Sequence, residues 1–311
     1  MDFLVSDFNV AIWLLLVLGF SAGLMSGFYG IGGGWLVTPI LNLAGLPMPY
    51  AVGTSLIYVI VNSIVGTLKH RKSGNVVYTL GLFIGISSIL GVLLGKKFVF
   101  YLENLNLADS VIRYIYVVFL MLESLYMLIE KKLRFTPKDS RVKKIIPPII
   151  NINLNGKNDL KISVWKIIFI GAFVGFLSST LGVGGGFILL PILIYIVKVP
   201  TKLAVGTSIF TTFITSFSGG VGYVMAKHVD WRSVLFMIIT TFLGIIIGAN
   251  ATEKVKSDNL KFLFAIMVFV AAVSVLFKQL GYGGISIALI TGIAGVSSII
   301  IIYISYVKKA L

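Results

Sequence analysis

The stretch from Asn9 to Gly45 contains no charged residue, and no other feature of the chain constrains its fold as much. As one continuous helix it would be roughly 55 Å long, whereas the hydrocarbon core of a bilayer is about 30 Å thick. Other apolar runs of about spanning length are Ile112 to Ile129, Leu260 to Phe277 and Ile285 to Tyr306. These runs lack the apolar–polar alternation of membrane strands. Only 12% of the residues are charged, about half the share in a soluble domain, too few to cover a water-exposed surface of this size. The expectation is an all-α polytopic membrane protein.

The chain repeats itself. Gly30-Ile31-Gly32-Gly33-Gly34 with Pro39 recurs as Gly182-Val183-Gly184-Gly185-Gly186 with Pro191, and Ala51-Val52-Gly53-Thr54-Ser55 recurs as Ala204-Val205-Gly206-Thr207-Ser208. The first pair is offset by 152 residues and the second by 153, a register that also matches Gly66 with Gly219, Gly91 with Gly244 and Gly95 with Gly248. Duplicated halves are a common build of secondary transporters. The expected organisation is a first transmembrane repeat (1–130), a basic linker (131–164), a second repeat (165–280) and an additional C-terminal helix (281–311).

The linker holds nine Lys/Arg against two Asp/Glu, which assigns it to the cytoplasm. Asn9–Gly45 must turn, and the glycine cluster is where the backbone can do so. If each cluster is the tip of a helical hairpin, each half crosses three more times and the halves are inverted. Six of the 26 Lys/Arg (Lys96, Lys97, Arg113, Lys227, Arg232 and Lys278) then fall outside and the other 20 inside. Parallel halves would give a poorer 16-to-10 split. The expectation is therefore inverted repeats in the cell inner membrane, with the N-terminus outside and the linker and C-terminus cytoplasmic. The start, Met1-Asp2-Phe3, has no basic residue before the first apolar run, so Val10–Tyr29 reads as a retained membrane segment rather than a cleaved leader.

Several function classes fall away. The net charge of +15 resides mostly at helix ends, as membrane anchors do, so no nucleic-acid partner is expected. The chain has no cysteine and two histidines, His70 and His228, which argues against a metal site. Neither a phosphate loop nor a dinucleotide fingerprint is present, so no cofactor is expected.

Three groups of residues are candidates for chemistry. A helix that begins at a glycine cluster inside the membrane would present free N–H groups and a positive dipole end, an anion site. The first group is thus Gly32, Gly33 and Gly34 with Gly184, Gly185 and Gly186; the plain alternative is a tight turn. The second is a polar stripe on the Gly-Thr-Ser helices: Thr54, Ser55, Tyr58 and Asn62, with Thr207, Ser208, Thr211 and Thr215 in the other half. Such a stripe faces substrate or cavity, or else bonds neighbouring backbone carbonyls. The third is Glu123, the only acidic residue near the middle of an expected crossing. It could carry a coupling proton, or make a structural hydrogen bond. Gly19, Gly23 and Gly27, together with Gly91, Gly95, Gly244 and Gly248, read as smooth strips for helix packing. His228 reads as a solvated loop residue, and Lys69-His70-Arg71-Lys72 as an inside anchor.

Two halves, each with G-x-G-G-G…P followed by A-x-G-T-S, resemble the sulfite exporter (TauE/SafE) family, also called the toluene sulfonate uptake permeases. The resemblance runs from Gly19 to Gly248 and rests on Gly30, Gly32 to Gly34, Pro39 and Ala51 to Ser55 with their second-half partners. It implies an inner-membrane carrier of sulfur-containing anions such as sulfite, sulfoacetate and other organosulfonates. The absence of cysteine argues against a thiosulfate carrier that uses membrane cysteines.

The reading is a secondary transporter, not an enzyme, with a small anion and membrane lipids as partners. Protons are a candidate coupling ion, and a homodimer is left open. An anion channel would share the site without saturating flux, and a membrane scaffold or assembly protein would need no polar stripe. An intramembrane enzyme would need more ionisable groups at depth than Glu123.

Overall fold

The computed structural model describes residues 11–130, 146–154, 159–252, 254–255 and 257–306. The first half contains α1 (Ile12–Tyr29), α2 (Gly34–Leu43), α3 (Met48–Lys72), α4 (Tyr78–Asn104) and α5 (Ala108–Glu130). The second contains α6 (Val164–Leu181), α7 (Gly186–Pro191), α8 (Thr201–Met225), α9 (Trp231–Thr252), α10 (Ser257–Gln279) and the added α11 (Gly283–Tyr306). Eight of these helices are long and apolar enough to cross a membrane, so the fold is all-α and polytopic. The 25-residue α8 is not among the eight, because Thr207, Ser208, Thr211, Thr212, Thr215 and Ser216 lower its hydropathy. All six are buried, which is how a membrane protein accommodates a polar helix.

Both glycine clusters break the helix as expected. Gly30 (φ 72°) and Gly182 (φ 73°) end α1 and α6 in the left-handed conformation, each N–H donating to the carbonyl four residues back at 2.8 Å. Gly33 (φ 77°) and Gly185 (φ 90°) then precede the new arms. Four left-handed residues at these places favour glycine, since a β-carbon clashes there. Pro191 ends the α-helical part of the second arm, which continues as a π-helical turn over Ile192–Ile196.

The linker holds structure that its composition did not suggest. Strands β1 (Ile149–Asn153) and β2 (Asp159–Ser163) form an antiparallel hairpin with Ile150 opposite Ile162. Residues 155–158, including Asn155-Gly156, which the sequence marks as a turn signal, lie outside the described residues.

Glycines set the helix spacing. A β-carbon on Gly19, Gly23 or Gly27 of α1 would meet α9 at Met237, Thr241 or Ile245, each carbonyl oxygen 2.2–2.6 Å away. The equivalent pair repeats this: Gly91 and Gly95 of α4 lie against Ala172 and Phe176 of α6, at 1.9 and 2.4 Å. In both pairs the numbers rise together, so α1 runs parallel to α9 and α4 parallel to α6. At the centre, α3 and α8 run antiparallel, with Leu56 beside Gly219 and Ile209 beside Gly66. Tyr58 and His70 of α3 bond the carbonyls of Gly19 and Gly27 on α1, which makes α1 and α3 parallel. Gly81 and Gly85 of α4 abut Phe210 and Ile214 of α8, which makes that pair parallel as well.

Candidate functional site

The two glycine tips meet. A β-carbon on Gly34 would lie 2.5 Å from the carbonyl oxygen of Gly182 and 2.9 Å from Val183 Cα, and one on Gly186 would lie 3.1 Å from Ile31 Cα. Every residue from Gly30 to Gly34 and from Gly182 to Gly186 is buried. Asn62, near the middle of α3, donates from Nδ2 to the carbonyl of Gly32 at 3.0 Å, so the meeting point is level with the middle of the central helices. Among the described residues, no acceptor is found for the N–H groups of Gly32, Gly33, Gly34, Gly184 or Gly185. Buried N–H groups without acceptors are rare in proteins, and here five lie together.

Side chains with spare hydrogen-bonding capacity surround them. Ser216 Oγ has no partner and lies 2.6 Å from where a Gly184 β-carbon would stand. Ser178 Oγ and Asn62 Oδ1 are likewise buried and unpartnered, beside Gly185 and Gly33 respectively. Val59 and Thr212, equivalent positions in the two halves, stand between the tips, each approaching both Gly32 and Gly184. The polar-stripe pattern singled out neither of these two, nor Ser178 or Ser216. Both face the tips from one helical turn beyond Ser55 and Ser208, a position that becomes visible only once the halves are docked.

The Gly-Thr-Ser motif does three separate jobs, each toward the other half. A β-carbon on Gly53 would lie 2.0 Å from the carbonyl oxygen of His228, and one on Gly206 2.2 Å from that of Asn75. The glycines thus admit the loop of the opposite half. Thr54 Oγ1 accepts from the Asp230 N–H at 2.9 Å, and Thr207 Oγ1 from the Val77 N–H at 3.0 Å. These are the residues just before α9 and α4. Ser55 Oγ donates to the carbonyl of Gly182 at 2.8 Å, and Ser208 Oγ to that of Gly30 at 2.7 Å.

The rest of the stripe bonds nearby helices. Tyr58 donates to Gly19 O and pairs with Thr241 Oγ1 at 2.8 Å. Thr211 donates to Gly81 O, and Thr215 pairs with Ser88 Oγ at 3.0 Å. Thus Asn62, Ser55 and Ser208 lie at the tips, while Thr54 and Thr207 face the loops. Glu123 is buried on α5, and neither of its carboxylate oxygens has a hydrogen-bond partner among the described residues.

Two expectations are corrected. His228 is not solvated: its Nε2 lies 2.8 Å from Glu103 Oε1, and its ring packs between those of Tyr50 and Phe100. His70 is not simply part of an interfacial anchor, because it is 2% exposed and reaches the carbonyl of Gly27 at 3.0 Å.

With this geometry in hand, the chain can be set beside known proteins. The family model described as Sulfite exporter TauE/SafE matches residues 15–275. The chain is 28% identical over 275 residues to Probable membrane transporter protein MJ0441 of Methanocaldococcus jannaschii, covering 83% of this chain and 93% of that protein. Probable membrane transporter proteins YunE and YdhB of Bacillus subtilis are 27% and 25% identical, over 85% of this chain and 97% and 100% of theirs. No solved structure matches the chain. A family match over most of the length, on a fold with eight helices apolar enough to span a bilayer, identifies a multi-pass membrane transporter, and the chain belongs to the sulfite exporter TauE/SafE family.

Proposed function

We propose that this chain is a secondary transporter of small sulfur-containing oxyanions, sulfite or organosulfonates, which bind where the two glycine tips meet. The observation that carries this reading is the cluster of acceptor-less N–H groups contributed by both tips, with the Ser216 and Ser178 hydroxyls beside them. An oxyanion offers several acceptors within a small volume, and the positive ends of two helical arms add to the attraction. The site as proposed comprises Gly32, Gly33, Gly34, Gly184, Gly185, Gly186, Ser178 and Ser216, its tips held by Ser55, Ser208 and Asn62. Thr54, Tyr58, Thr207, Thr211 and Thr215 support the helices that hold it.

Inverted halves fit this reading. The helix registers make α1 parallel to α3, α3 antiparallel to α8, and α8 parallel to both α4 and, through α4, α6. Taken together they make α6 antiparallel to its counterpart α1. The loops seated on Gly53 and Gly206 would then close opposite faces, and releasing one at a time gives alternating access. By charge distribution, the face carrying Lys69, Arg71 and Lys72 is the cytoplasmic side of the inner membrane.

The test is a thermal-shift screen of the purified chain with sulfite, toluene sulfonate, sulfoacetate, sulfate and acetate. Saturable stabilisation by sulfite or a sulfonate, exceeding that by acetate, is expected. Equal or no response to all five would refute the reading.

A further inference from the structure

Glu123 takes no part in the central site, yet its place in the fold is unusual. It is 8% exposed, and neither carboxylate oxygen has a hydrogen-bond partner. Phe119, Glu123 and Tyr126 lie at i, i+4 and i+7 of α5 and so share a face. The Phe119 ring is 6.3 Å from that of Phe187, and the Tyr126 ring is 5.3 Å from that of Tyr195. Along α5, Glu123 thus lies between two residues whose rings meet the second glycine arm at Phe187 and Tyr195. That stretch, Ile188 to Ile194, is wholly apolar and contains Pro191 and the start of the π-helical turn. A proline has no N–H, so the helical pattern is already interrupted there, and π-turns are frequent at functional sites.

An ionised carboxylate in this place would be buried with no ion-pair partner among the described residues, a cost of several kcal/mol. The neutral acid carries only the smaller cost of an unpaired polar group. The titratable neighbours on this face are Tyr126 of α5 and Tyr195 of the arm. Among the other elements packed on α5, α10 carries Lys278, together with Asp258 and Lys261, whose side chains are outside those described. The remaining charged or titratable groups are Asp109, Arg113, Tyr114, Tyr116 and Glu130 on α5 itself, Tyr78, Lys96, Lys97, Tyr101 and Glu103 on α4, Tyr50, Tyr58, Lys69, His70, Arg71 and Lys72 on α3, and Lys166 on α6. Among the described residues none forms an ion pair with Glu123.

We propose that Glu123 is a proton-binding site that couples protonation to the position of the second glycine arm. With the arm packed as it is here, the carboxyl holds its proton. Movement of the arm that admits water lets the acid release that proton and become a carboxylate, and return of the arm requires a proton to be taken up again. Because the same arm begins at Gly186, proton and anion binding influence each other by equal amounts. The coupling, though not the proton site itself, rests on the carrier reading above.

Two measurements test this separately. The first is infrared difference spectroscopy of the full chain in lipid between acid and alkaline pH. A protonated-carboxyl C=O band present in the native chain and missing in Glu123→Gln is expected. A native chain without that band, or a variant that retains it, overturns the proton site whatever is transported. The second is transport of labelled sulfite into liposomes. In Glu123→Gln, uptake driven by an imposed pH gradient should fall at least tenfold, while sulfite–sulfite counterflow stays within twofold. Gradient-driven uptake that survives in the variant overturns the coupling. If the native chain shows neither uptake nor counterflow of sulfite, the carrier reading for this anion fails and the coupling fails with it, while the infrared band still decides the proton site.

Discussion

Ser55 Oγ donates to the carbonyl oxygen of Gly182 at 2.8 Å, so the central helix of one half holds the glycine tip of the other. Ser208 returns the favour to Gly30 at 2.7 Å. Each bond crosses the boundary between the halves, and each hydroxyl is fully buried. Ser55→Ala and Ser208→Ala should each lower stability by about 1 kcal/mol, read as a fall in melting temperature in detergent. The double variant should lose roughly the sum. Unchanged melting in both single variants would mean that the serines do not brace the tips.

Ser216 differs from those serines because its Oγ has no hydrogen-bond partner among the described residues. Removing it should leave melting within about 0.5 kcal/mol of native. If the hydroxyl is a ligand of the anion, Ser216→Ala should weaken sulfite binding about tenfold, the loss of one hydrogen bond to a charged group. Titration calorimetry distinguishes this from an idle hydroxyl, for which affinity would not change.

The glycine strips make a contrasting prediction about packing. A β-carbon on Gly91 would lie 1.9 Å from the backbone oxygen of Ala172, whereas one on Gly292 of α11 would meet nothing within 4 Å. Gly91→Ala should destabilise by at least about 1–3 kcal/mol, and Gly292→Ala should be neutral or slightly stabilising. Similar melting of the two variants would contradict the close approach of α4 and α6.

Orientation can be read on a chain with no cysteine of its own. Single cysteines at Asn106 and Lys227, both exposed, should react with a membrane-impermeant maleimide in intact cells. Cysteines at the exposed Ser73 and at Ser140, which lies outside the described residues, should react only after permeabilisation. Labelling of Ser73 and Lys227, which follow the equivalent helices α3 and α8, from the same side would remove the basis for inverted halves.

Much of the fold was legible because its causes are local. Charge-free runs, left-handed glycines at Gly30 and Gly182 and the 153-residue register announce helices, breaks and a duplication without any knowledge of tertiary contacts. The packing role of Gly19, Gly23 and Gly27 was legible too, from four-residue spacing alone. The centre was less so. Thr54 and Ser55 are adjacent in sequence but serve a loop and a tip of the opposite half, and periodicity within one helix cannot separate those roles. Val59, Thr212 and Ser216 gain their positions only when α3 and α8 cross. His228 lies in a loop as expected, but it read as solvated because its partner Glu103 is 125 positions away.

The measurement that tests the central claim most directly is equilibrium binding of sulfite to the purified native chain, Gly34→Ala, Gly186→Ala and the double variant, each with its melting temperature. Gly34 and Gly186 are outside the left-handed region, so alanine adds no backbone strain, but its methyl would press on the facing tip: 2.5 Å from the Gly182 carbonyl oxygen for Gly34, and 2.3 Å from Thr212 Oγ1 and 3.1 Å from Ile31 Cα for Gly186. The account predicts saturable native binding, weakened more than tenfold, about 1.4 kcal/mol, by either substitution and further by both, while the variants, destabilised by about 1–3 kcal/mol through this crowding, still melt cooperatively. Full affinity in one single variant and loss in the other would contradict a site shared by both tips. Variants that lose binding only because they unfold would reduce the glycines to turn and packing residues.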